Sequence, residues 1–244
     1  MKTTYCFSDV HGQYDLWAQI RDYADETDTL IFLGDAIDRG PDGIKILQEM
    51  IADKRVIILL GNHEDFLARY QHDGLTAALW MSKSNGGKPT YEKIQALPRE
   101  ERQELIKTIR NLPRTINYVN SKGERFLLSH AGFTPDDFWE PDREDLLWSR
   151  DHFNDPWPPL EEYKNTYIIH GHTPAPFVSN MRREMASFDI DGNPNIYIYE
   201  NGHKICLDLA SPDTKKIALY NLDERKLERY FYGEKETDSC RSTE

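Results

Sequence analysis

Aspartate, asparagine and histidine recur in this chain at one kind of place, the first residues after an apolar run. Asp9 and His11 follow residues 3–7, in SDVHG. Asp35 and Asp38 follow residues 30–33, in GDAIDRG, and Asn62 and His63 follow residues 55–60, in GNHE. His130 follows residues 125–129, in SHAG, and His170 and His172 close the run at 166–170, in HGHTP. Oxygen and imidazole donors without thiolate suit Mn, Fe, Zn or Mg. The set is too large for one ion that keeps a position open. It suits two ions that share a bridging carboxylate. Two ions about 3.5–4 Å apart clamp both sides of a phosphoryl displacement and acidify a water. Taken singly, each residue has a plainer reading: a strand-end Asp is usually a cap or a turn former, and a lone His a satisfied imidazole. Five ordered repetitions set these apart.

For the tips to converge, the apolar runs must be strands whose carboxyl ends face one way. Runs at 3–7, 29–33 and 55–60 alternate with helical patterns at 15–24 and 41–52. Leu16, Ile20 and Tyr23 share a face of the first helix. Pro41 sits in the first turn of the second, with Ile44, Leu47 and Ile51 inward. This β-α-β-α-β pattern implies a partly parallel sheet, and open α/β sheets bind ligands outside the carboxyl ends of their strands. The run VIILL reads as a strand buried on both faces. The glycines Gly12, Gly34, Gly40, Gly61, Gly132 and Gly171 flank the candidate ligands, where the chain must turn sharply.

Residues 63–71 read as a helix. Residues 74–114 are polar, contain NGGKP and an amphipathic helix between Pro98 and Pro113, and read as a helical insertion beside the sheet. Three hairpins are expected around NSKGE, ENGH and LDERK. A single domain over residues 1–233 and a flexible polar tail at 234–244 follow.

Composition narrows the class. The chain has 244 residues, enough for a sizeable core, with 39% hydrophobic and 30% charged side chains. A net charge of −12 argues against broad binding of nucleic acid. The three cysteines, Cys6, Cys206 and Cys240, are far apart and suggest neither a disulfide framework nor a thiolate metal site. The first residues carry no signal-peptide pattern, and no run of about 18 apolar residues could span a membrane. A cytoplasmic monomer with no membrane or nucleic-acid partner is expected.

DVHGQ, GDAIDRG, GNHE, SHAG and GHTP, in this order over residues 8–174, resemble the metal-dependent phosphoprotein phosphatases. Within that family the chain is similar to the compact bacterial and phage serine/threonine enzymes. The resemblance implies an α/β fold, a four-layer α/β/β/α sandwich of the metallophosphoesterase type. It implies two divalent ions, foremost Mn²⁺, with Fe, Zn or Mg as alternatives. Carried onto matching positions, Asp9, His11 and Asp35 hold the first ion and Asp35 bridges. Asn62, His130 and His172 complete the second. His63 is the general acid, oriented by Asp38, since a carboxylate raises an imidazole's pKa toward neutral pH. Arg39 binds phosphate through its planar fork, joined by Arg150 of LLWSR.

The reaction implied is in-line attack of a metal-bridging hydroxide on a phosphomonoester. Its substrate would be a phosphorylated protein, at serine or threonine, or a small phosphoester. The alternative on the same site is a symmetrical dinucleoside polyphosphate hydrolase of the Ap4A type, and behind it a metal-binding scaffold without activity. Those hydrolases commonly carry ARG and GNHD, whereas this chain keeps Asp38 and Glu64. Ser8 departs from the usual Gly of the first motif. Four further expectations concern neighbours. Glu64 pairs with Arg39; Asp208 has no catalytic role; His170 is either a ligand itself or stands behind the ligands; His72, His152 and His203 lie at the surface. Residues 155–163, DPWPPLEEY, read as a rigid loop near the site.

Overall fold

The computed structural model describes residues 2–70, 72–133 and 144–234. The expected tail beyond Glu234, part of the 134–165 loop region, and Cys240 lie outside them. Two five-stranded sheets face each other. The first runs β10 (Lys226–Tyr232), β9 (Lys216–Asn221), β1 (Thr4–Phe7), β2 (Thr29–Phe32), β3 (Val56–Ile58). The second runs β4 (Thr115–Val119), β5 (Arg125–Ser129), β6 (Thr166–His170), β8 (Lys204–Cys206), β7 (Tyr197–Tyr199). β1, β2 and β3 are parallel, as are β5, β6 and β8, while the three hairpins are antiparallel. The site-bearing strands therefore end on one side within each sheet.

Strand alternation sorts the core into layers. Tyr5, Phe7, Leu30 and Phe32 point outward to Leu16, Trp17 and Ile20 of α1 (Tyr14–Tyr23) and Ile44 and Leu47 of α2 (Gly43–Ala52). Their neighbours Cys6 and Ile31 point inward and meet Phe126, Leu128, Ile169 and Ile205 of the second sheet. The far face of that sheet, Leu127 and Ile168, is covered by Phe133 and Leu146, and α7 (Ala175–Met181) packs beside β7. This is the α/β/β/α sandwich, with a fourth layer of one short helix and 3-10 turns.

The insertion is helical as expected: α4 (Gly74–Trp80), α5 (Lys88–Ala96) and α6 (Arg99–Arg110). Trp80, Ile94, Leu105 and Ile109 join the outer core of the first sheet. α3 (Asn62–Arg69) carries GNHE. Two expectations fail. The 55–60 run is an edge strand, and Ile57, beside Ile31 in register, is 44% exposed, because no further strand covers it. α2 begins at Gly43, so Pro41 precedes it, and Ile51 is on its solvent side at 39% exposure.

Candidate active site

Asp35 is the centre of the arrangement. Its Oδ2 lies 3.6 Å from His11 Nε2, 3.4 Å from His130 Nε2 and 3.8 Å from His63 Nε2. Two groups that could hold a cation share it: His11, Asp35 and His63 on one side, and Asp35, His130 and His172 on the other. Asn62 Oδ1 is 2.8 Å from both His130 Nε2 and His172 Nδ1. Asp9 Oδ1 is 3.9 Å from His11 Nε2, and its carboxylate accepts the amide of His172. Tips from both sheets thus meet, as their positions in the sequence require.

The backbone works hard to present these side chains. Asp9, His11, Asp35, Asp38, Arg39 and His172 all have positive φ, between 45° and 71°. Such values are uncommon outside glycine and concentrate at functional sites.

The outer ring nitrogens fix the inner ones. His11 Nδ1 donates to the Ile37 carbonyl and His130 Nδ1 to the Leu33 carbonyl, each at 2.9 Å. In the neutral ring each Nε2 is then an acceptor, and His130 Nε2 faces two more, Asn62 Oδ1 and Asp35 Oδ2. Three acceptors converging on one point require a shared cation or a proton. Burial opposes charge on His130, but Asp35 overrides it and lifts its pKa to about 9. Asp35 is held low by the imidazoles around it although burial pushes the other way. Burial, then Asp208, push Asp9 up. This donor set, with outward hydrogen bonds orienting the imidazoles of His11 and His130, fits a pair of divalent cations.

His63 differs from the other three. Its Nδ1 donates to Asp38 Oδ2 at 2.6 Å, which leaves Nε2 facing the centre. Burial disfavours its charged form, yet Asp35 and Asp38 outweigh that and raise its pKa. Arg39 reaches across the mouth, with Nη1 2.7 Å from His11 Nε2 and Nη2 3.4 Å from His63 Nε2. The inner nitrogen of His11, expected on an ion, thus accepts from Arg39 here. Arg150 is exposed and its Nε donates to Thr173 Oγ1 at 3.0 Å, one residue after His172.

Several neighbours are not where the sequence suggested. Glu64 does not pair with Arg39. It is fully buried and accepts the amides of Asp35 (2.8 Å), Ala36 (2.9 Å), Ile37 (3.3 Å) and Gly61 (3.2 Å), organising the GDAID turn. His152 is buried beneath the site, its Nε2 donating to the Ala131 carbonyl at 2.9 Å. His203 is half-buried and stacks on Trp157 at 4.6 Å, whereas His72 is exposed as expected. His170 Nε2 lies 2.9 Å from the Tyr199 hydroxyl, and neither group of side chains that could hold a cation includes it. Asp208 is buried, and its carboxyl is pushed up to about 6, chiefly by burial. It follows β8 just as the candidate ligands follow or end their strands, so the same pattern reaches it too. Ser8 Oγ donates to Asp9 Oδ2, a contact the usual glycine could not make.

A family model described as calcineurin-like phosphoesterase matches residues 2–207. The chain belongs to that family. Among curated proteins, this phosphoesterase is 32% identical to serine/threonine-protein phosphatase 2 of Salmonella typhimurium, over 59% of the chain and 66% of that protein. It is 31% identical to the symmetrical bis(5'-nucleosyl)-tetraphosphatase of Delftia acidovorans, over 54% of the chain and 44% of that protein. The matched stretches thus span from under half to about two thirds of these relatives. A solved structure described provisionally as a diadenosine tetraphosphatase shares the fold, with a TM-score of 0.61 at 17% identity over 95% of this chain and 94% of that one. The family implies a dinuclear divalent metal site, which the Asp35-centred groups fit. No helix of the described residues is long and apolar enough to cross a membrane.

Proposed function

We propose that this phosphoesterase hydrolyses phosphomonoesters on serine or threonine of proteins, with two divalent cations, Mn²⁺ first among them. The observation that carries the substrate class is the groove beside Arg39. It has a volume of about 1220 Å³ and is lined by three cationic side chains, Arg39, Lys83 and Lys215. Four carboxylates line it as well, those of Asp15, Asp42, Asp213 and Glu234. A chain of four phosphates needs a run of cations with few anions between them. One phosphate on a peptide needs cations only at the centre. Carboxylates along the groove then favour basic neighbours in the peptide.

The geometry supports the following roles. Asp9, His11 and Asp35 would hold one cation, and Asp35, Asn62, His130 and His172 the other. When bound, the pair supplies charge against the phosphate and acidifies a water. Arg39 and Arg150 would hold phosphate oxygens from the two sides of the mouth. Asp38 fixes the proton on His63 Nδ1 and supports charge on the ring. His63 then presents its second proton at Nε2 to the departing serine or threonine oxygen.

The test is phosphate release by chelator-stripped protein reloaded with Mn²⁺, with Asp35→Asn as blank. Phosphoserine peptides with basic and with acidic flanks, a phosphotyrosine peptide and a diadenosine polyphosphate are compared side by side. Fastest release from the basic-flanked phosphoserine peptide is expected. Cleavage of the dinucleotide alone would replace this reading with the activity named for the Delftia relative.

A further inference from the structure

Asp38 holds the candidate acid, but something must hold Asp38. Its Oδ2 accepts His63 Nδ1–H at 2.6 Å and a second donor, the indole Nε1–H of Trp80, at 2.7 Å. Trp80 is completely buried at the end of α4, in the helical insertion and remote from every strand tip in sequence. The ten residues after it serve the same turn. Asp38's own amide donates to Thr90 Oγ1 at 2.9 Å, and Arg39's amide donates to the Gly86 carbonyl at 3.0 Å. Gly87 lies under the indole and donates its amide to the Trp80 carbonyl at 3.0 Å. A Cβ on Gly87 would stand 2.5 Å from Trp80 Nε1, so nothing larger leaves the indole on Asp38. Asp38 and Arg39 both have left-handed φ, of 71° and 64°, and these contacts help to hold that strained pair.

We infer that the insertion segment Trp80–Thr90 is a positioning element for the acid, with Trp80 as its key residue, acting on His63 through Asp38. This rests on the reading of His63 as general acid given above. Two donors on one carboxylate oxygen lock its rotation, and a locked carboxylate fixes the ring it accepts from. Without the indole N–H the carboxylate can swing. The imidazole then loses its alignment to the leaving oxygen, while the phosphate-binding and cation-holding groups stay in place. The insertion therefore belongs to the reaction centre and is more than a packing layer on the first sheet.

The test compares Trp80→Phe, which keeps an aromatic ring in the core but removes the donor together with part of the indole's volume, with Gly87→Ala, which displaces the indole and touches neither Asp38 nor His63. With Mn²⁺-loaded protein, kcat on a phosphoserine peptide should fall about tenfold. On 4-nitrophenyl phosphate, whose leaving group needs no proton, it should fall less than about threefold, with KM unchanged. In the His63→Asn background, Trp80→Phe should change kcat by less than about twofold, since the residue it positions is gone. A readout independent of activity is the low-field proton resonance of His63 Nδ1–H, which both variants should shift or broaden. Equal losses on the two esters, a further full loss in the His63→Asn background, or an unmoved His63 resonance would overturn the assignment. If the unsubstituted protein released no phosphate, the reading of function would fail, and the resonance would still decide the role of Trp80.

Discussion

Replacing Glu64 by glutamine changes one atom and almost no volume, yet it should be among the costliest substitutions in the protein. The carboxylate is fully buried, and each oxygen takes two backbone amides: Oε2 those of Asp35 and Gly61, Oε1 those of Ala36 and Ile37. Glutamine offers one acceptor oxygen. However its amide is turned, two backbone N–H groups face an NH₂ group. Each lost hydrogen bond to a charged acceptor costs about 1.5–3 kcal/mol, so the pair costs about 3–6 kcal/mol. Burial, then the Asp35 carboxylate, push the Glu64 carboxyl up to about 7, which weakens its charged form near neutrality. The lower end, about 3 kcal/mol, is therefore expected at neutral pH. Urea unfolding followed by tryptophan fluorescence measures it directly, on chelator-treated protein so that cation binding does not enter. The same variant should hold fewer than two Mn²⁺ after dialysis, because Asp35 hangs from the turn that Glu64 secures. A loss under about 1 kcal/mol would show that the turn stands without its carboxylate, and the reasoning would be refuted.

Asp35→Asn should abolish phosphate release and lower bound metal below two per chain; two tightly held ions by elemental analysis would remove its bridging role. Gly171→Ala should also weaken metal binding, because the new Cβ would stand 2.0 Å from Asp9 Oδ2, and an unchanged titration with Mn²⁺ would contradict this. Lys204 is buried and donates to the carbonyls of His152 (2.7 Å) and Asp155 (3.2 Å), with burial lowering its pKa to about 8. An unfolded lysine titrates near about 10.4, so between those values the unfolded chain binds the extra proton and stability gains as pH rises. The stability difference between the unsubstituted protein and Lys204→Met should therefore grow by about 2 kcal/mol from about pH 7.5 to about pH 9.5 in urea unfolding, and a flat difference would count against the buried charge.

What could be read from the sequence was the set of strand ends, because a charged residue that terminates an apolar run is visible in one dimension. Asp9, Asp35, Asn62, His130 and His172 all meet where that pattern placed them. The misreadings share a cause. Ile57 sits in a run as apolar as a central strand's, and only the strand order, with β3 at the edge, exposes it. Glu64 looked like a partner for Arg39 because both are charged and near each other in the motifs; its true partners are backbone amides, which carry no sequence signature. His152 and Trp80 come from segments with no strand pattern at all, and topology alone carries them to the site.

The left-handed backbone of the site has a consequence for how this chain can change. Six positions there, Asp9, His11, Asp35, Asp38, Arg39 and His172, would all sit more easily as glycine. Each non-glycine residue held so costs about 1–2 kcal/mol, and six together approach the whole net stability of an ordinary domain. Glycine, however, has no side chain to offer a cation, a proton or a phosphate. At these six places the substitution that would most relax the fold is the one that erases the chemistry. A search for stabler variants that scored folding alone would therefore converge first on the active site and dismantle it.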